Sequence, residues 1–153
     1  MCEGPIGKLK YFGWGNFENM RKKLPVKTHV ALLCAGSGLT PHLQLAQASL
    51  LAGDGVMWTM LYFNKTKKDI MCEDTLQQFK DQNPITFNLH HCLTRHSAKD
   101  GEWNSQLGRP SAEMFKRCGF PEPGEQTLVC ICGPQGFKVS CQKILSELGF
   151  QED

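Results

Sequence analysis

The sequence has no Cys-x-x-Cys pair, although 8 of its 153 residues are cysteine. A structural zinc site built on paired knuckles is therefore unlikely on spacing grounds. No apolar run reaches 18 residues, which excludes a membrane-spanning helix. No basic-then-apolar stretch of the secretory type follows Met1. Low-complexity tracts and internal repeats are absent. Charge of one sign is scarce: the net charge is +2, too small to argue for a nucleic-acid partner. The excess is uneven, because residues 1–27 carry six Lys/Arg against two Glu, hence +4, and the remainder sums to −2. That imbalance reads as a solvated basic linker or arm. Without a secretion signal the cysteines are expected to be reduced, in a cytoplasmic protein. Hydrophobic residues make up 41% and charged residues 21%, ordinary usage for one globular domain.

Residues 4–17 are rich in glycine and aromatics and show no helical period, so they read as turns and a short strand, the tail of a neighbouring β domain. Glu18 to Lys23, then Leu24 and Pro25, read as a linker. From Lys27 onward the pattern alternates. Apolar runs at 28–34, 56–63, 86–93 and 126–132 read as strands, the third more alternating and so nearer a sheet edge. Between them fall helical stretches. One opens at Thr40-Pro41, with Thr40 as N-cap, and stops at Gly53. One is capped by Asp69 and runs to about Gln82. A short one covers 110–117, after a polar loop at 94–109, and a last one covers about 137–148. Continuous apolar strands alternating with helices predict an α/β fold, a three-layer open parallel sheet. Right-handed crossovers reduce the topology to strand order 3-2-1-4. The first and fourth strands then meet at the switch point where open sheets bind ligands.

Two glycine turns leave those strands. Gly36-Ser37-Gly38-Leu39-Thr40-Pro41 suits a phosphate held at a helix N-terminus, although a bland strand turn would use the same residues. Cys132-Gly133-Pro134 ends the fourth strand at the same crevice, and alone it reads as a strand–helix turn with a buried cysteine. His90, His91, Cys92 and His96 cluster in sequence. On a strand, however, His91 faces away from His90 and Cys92, so no metal site is expected.

AGSGLTP at 35–41, CGP at 132–134 and GPIGKLKYFGWGNF at 4–17 resemble the pyridine-nucleotide domain of the ferredoxin reductase superfamily, in its cytochrome b5 reductase and nitrate reductase flavoprotein branch. Phe63 to Ile70, Trp103 and Gly108 support the resemblance, which covers nearly the whole chain. It implies an NAD(P)H-dependent flavoprotein reductase passing hydride to FAD and electrons to a heme acceptor such as a cytochrome b5-like domain. It implies residues 1–24 as flavin-domain tail and linker and residues 25–153 as the NAD(P)-binding domain. By the same resemblance Gly36, Ser37, Gly38, Thr40 and Pro41 hold the pyrophosphate, with Ser37 and Thr40 facing the flavin edge. Cys132 lies beside the nicotinamide as a positioner, with Gly133 and Pro134 shaping that wall. Asn64 joins the cofactor-binding set. Related NADH-using reductases place Asp after the third strand. Thr94-Arg95 stands there instead, like the Ser/Thr-Arg pair of NADP-using relatives, and favours NADPH over NADH. Lys65 and Arg109 read either as additions to the adenosine end or as plain surface charges.

The arginine-aromatic-serine flavin motif of the family is missing, so FAD is expected on a separate barrel domain. A final strand carried by related reductases is expected to be missing too, and CGPPPM of close relatives reads CGPQGF here. The chain thus reads as a piece of a longer reductase. The alternative is a stand-alone, non-catalytic nucleotide-binding or interaction module.

Overall fold

The computed structural model describes residues 8–151. Residues 4–7 and 152–153, on which parts of the sequence reading fall, lie outside that range. The chain begins with a small antiparallel meander, β1 (Leu9–Tyr11), β2 (Phe17–Asn19) and β3 (Lys22–Lys23). The expected linker at 18–23 is therefore strand and turn. Met20 and Arg21 turn the chain with φ of 49° and 70°.

The main sheet is parallel, with β4 (His29–Ala35), β5 (Met57–Asn64), β6 (Phe87–Leu93), β7 (Gln106–Leu107) and β8 (Thr127–Cys132) in the order β7-β6-β5-β4-β8. The four strands read from the apolar runs lie as β6-β5-β4-β8. The fifth, β7, falls inside the stretch expected to be a polar loop, where Cys92 and Leu93 pair with Gln106 and Leu107.

Helix α1 (Leu39–Ala52) follows a 3₁₀ turn at Gly36–Gly38, α2 (Glu73–Gln82) follows β5, α3 (Ala112–Arg117) precedes β8, and α4 (Gln135–Glu147) closes the fold. Helix α1 ends where expected, on Gly53 at φ 61°. Two expected caps differ. Thr40 lies within α1 and donates its hydroxyl back to the Ser37 carbonyl at 3.2 Å. Asp69 accepts from the Thr66 N–H and hydroxyl, closing a capping box on a separate 3₁₀ turn, while α2 starts after Cys72. Four residues too many separate Asp69 from the first turn of α2 for it to reach those N–H groups.

Strand residues of β4 are buried on both faces because helices cover both. Val30, Leu32, Trp58, Met60 and Tyr62 pack under α1 and α2 together with Phe17 of the meander. Leu33, Leu61, Phe63 and Cys92 pack against Met114 and Phe115 of α3 and Cys141 and Leu145 of α4. The meander is pinned by Asp54, whose carboxylate accepts the Tyr11 hydroxyl, the Trp14 N–H (3.1 Å), the Ser49 hydroxyl (2.6 Å) and the Val56 N–H (3.2 Å). Those donors hold the Asp54 carboxyl below its usual range against the opposing effect of burial. Among the described residues no helix is long and apolar enough to cross a membrane.

Candidate functional site

Because the strands are parallel, every strand-to-helix loop leaves the same edge of the sheet, and β4 and β8 send theirs to opposite faces. The crevice between them is bounded by the N-termini of α1 and α4. Neither helix has a side-chain cap on its N-terminal N–H groups, and neither carries an acidic residue in its first turn. Two sets of free donors and two positive dipole ends thus converge on one place, an arrangement suited to a diphosphate.

Glycine makes the convergence possible. A Cβ on Gly38 would lie 2.2 Å from the Cys132 carbonyl oxygen and 2.9 Å from the Gly133 nitrogen. Any other residue there would force the two turns apart. A Cβ on Gly133 would lie 2.9 Å from the Phe137 ring and 3.0 Å from the Ala35 Cβ. Gly36, at φ 54° with open space around it, supplies the turn itself. Ser37, Thr40 and Pro41 are exposed beside it, and Cys132 and Gly133 are half-buried opposite.

The remaining expected site residues occupy the same edge. Asn64 is the last residue of β5 and is buried. The Thr94 N–H donates to the Asn64 carbonyl at 2.9 Å, and the Arg95 N–H to the Lys65 carbonyl at 2.8 Å, so the two loops are tied together. Arg109 lies just past β7, where the Gly108 N–H bonds the Leu93 carbonyl at 2.8 Å. Lys65, Thr94, Arg95 and Arg109 are all exposed. The edge crosses five strands; at about 4.8 Å per step it spans roughly 19 Å, room for an extended dinucleotide.

Phe137 is missing from the sequence-derived set. It packs on Gly133 and against Phe63, ring centroids 5.3 Å apart, and so backs the crevice wall. Its place one helical turn beyond Gly133 was the available signal.

The cysteines are free thiols among the described residues. Burial pushes Cys130 and Cys141 up to about 12 and raises Cys34 well above the usual thiol range. These three stay protonated and serve packing. His91 lies against Tyr62 and Trp103, ring centroids 5.9 and 6.5 Å away. His90 lies on the other side of β6, and no group of three His, Cys, Asp or Glu among the described residues could hold a metal.

The model of the oxidoreductase NAD-binding domain matches residues 32–143, from the middle of β4 into α4. The chain belongs to this family. Nitrate reductase [NADPH] of Leptosphaeria maculans is 35% identical over 153 residues, covering 99% of this chain and 16% of that protein. NADH-cytochrome b5 reductase 1 of Homo sapiens is 34% identical over 156 residues, covering 97% of this chain and 50% of that one. The cytochrome b5 reductase domain of Ulva prolifera nitrate reductase superposes with a TM-score of 0.90 at 26% identity, covering 98% of this chain and 56% of that one. This NAD-binding domain is thus homologous to those of cytochrome b5 reductases and nitrate reductases. It spans about half the length of the former and about a sixth of the latter.

Proposed function

We propose that this NAD-binding domain holds NAD(P)H for hydride transfer to the FAD of a barrel domain, from which electrons pass to a heme acceptor of the cytochrome b5 type. The observation that carries the proposal is the meeting of two uncapped helix N-termini across Gly38 and Cys132 at the switch point. When bound, the nicotinamide supplies the hydride and the flavin accepts it. The chain's own part is placement. Gly36, Ser37, Gly38, Thr40 and Pro41 receive the pyrophosphate at the α1 N-terminus. Cys132, Gly133 and Pro134 form the opposite wall, with Cys132 setting the depth of the ring and Ser37 and Thr40 facing the flavin. No side chain needs to move a proton, so an active site without a general base suffices.

At the other end, Asn64, Lys65, Thr94, Arg95 and Arg109 receive the adenosine half. Arg95 can pair a 2′-phosphate in bidentate fashion, which favours NADPH. Residues 1–24 are read as the tail leading from the barrel, seated on residues 25–153 through Asp54. Free thiols suit a cytoplasmic setting.

Titration of the 153-residue chain with NADH and NADPH tests the reading. Micromolar binding is expected, with no diaphorase activity until a flavin domain is supplied. Absence of binding by either nucleotide at millimolar concentration refutes it.

A further inference from the structure

The Asn64 side chain is 5% exposed, and neither Oδ1 nor Nδ2 has a hydrogen-bond partner. A buried amide without partners is costly, and native proteins rarely keep one without a use for it. The other orphaned atoms among the described residues belong to His42, inside α1, and to His90 and His91, in the middle of β6. Asn64 differs in place: it is the last residue of β5, at the carboxyl edge of the sheet. Tyr62, two residues back, has its hydroxyl engaged by the Met71 N–H at 3.3 Å and influences the amide without closing a hydrogen bond to it. The Asn64 main chain is fixed, because its carbonyl accepts both the Thr94 N–H at 2.9 Å and the Thr94 hydroxyl at 3.4 Å. The amide is therefore held at the junction of the β5 and β6 loops, where the adenosine half is proposed to lie.

We infer that the Asn64 carboxamide is kept unpaired for the ribose hydroxyls on the adenosine side of the dinucleotide. The inference rests on the NAD(P)H reading given above. An acceptor and a donor side by side match a vicinal diol: Oδ1 accepts from one hydroxyl while Nδ2 donates to the oxygen of the other. The free protein then carries a destabilising group that the ligand relieves. Binding and stability oppose each other at this one position.

Asn64→Leu keeps the branching of the side chain and removes both polar atoms. In the 153-residue chain, its melting temperature without ligand is expected to rise by roughly 2–5 °C. Its affinity for both NADH and ADP-ribose is expected to fall about ten- to hundredfold. Asn64→Ala serves as the second variant, with the same loss of affinity, should leucine not be accommodated. Unchanged affinity in a chain whose wild type binds NADH overturns the inference and leaves the NAD(P)H reading standing; a wild type that binds neither nucleotide overturns both. A loss for NADH without one for ADP-ribose removes the ribose assignment. A melting temperature that falls in both variants shows the amide to be satisfied in the free protein and equally overturns the inference.

Discussion

Single residues decide whether the crevice exists. The Cβ of alanine at Gly38 would overlap the Cys132 carbonyl, which belongs to backbone and cannot swing away. Gly38→Ala is expected to cost roughly 1–3 kcal/mol of stability and to weaken NADH binding with it, as urea unfolding and titration would read. Arg95 makes the opposite kind of contribution. It is exposed, so Arg95→Ala should leave stability unchanged. The loss should fall on NADPH rather than NADH, by about 1–3 kcal/mol for a charge-assisted contact; equal losses for both coenzymes would remove the NADPH preference. At this scale the sequence was largely legible, because close backbone approach admits only glycine and so leaves a mark in the text. Caps were less so. Thr40 and Asp69 have the right chemistry for helix starts, yet each is used one turn away, since a 3₁₀ turn intervenes and shifts the register.

Elements with many apolar residues announced themselves, and short ones did not. Strands β4, β5, β6 and β8 are each 6 to 8 residues long and nearly continuous in hydrophobicity, as burial on both faces demands. Strands β3 and β7 have 2 residues each, too few for any period, and they form because a neighbouring strand offers an open edge. The meander was hidden for a further reason: its turn uses Met20 and Arg21 at positive φ, where glycine or asparagine would have signalled it. What fixes the meander is Asp54, a single acceptor for four donors. Asp54→Ala leaves the Tyr11 and Ser49 hydroxyls and two N–H groups without it. A destabilisation of about 2–4 kcal/mol is expected, together with faster proteolysis within residues 8–24. An unchanged cleavage pattern would show that Phe17 and its apolar contacts hold the meander unaided.

For the molecule as a whole, acid is the condition that exposes its weakness. His42 is 3% exposed, and burial lowers its imidazole to about 4. The unfolded chain, at the ordinary value near 6.5, takes up that proton first. The contribution of neutral His42 is therefore complete above about pH 6.5 and is lost as the pH falls toward 4. His90 and His91 shift in the same direction, also by burial. Stability at pH 5 should be about 2 kcal/mol below that at pH 7 on account of His42 alone. His42→Met should flatten that limb of a denaturation-versus-pH curve; an undiminished slope would assign the effect elsewhere.

Strand β8 is the last strand of the sheet to be synthesised, yet it seats beside the first, His29 opposite Thr127. Until residue 132 has emerged from the ribosome, α1 has nothing to face and coenzyme has one wall to lean on. Retention of NADH by a nascent chain would accordingly mark the moment at which translation has delivered a finished sheet, and truncations ending before Thr127 should wash free of it.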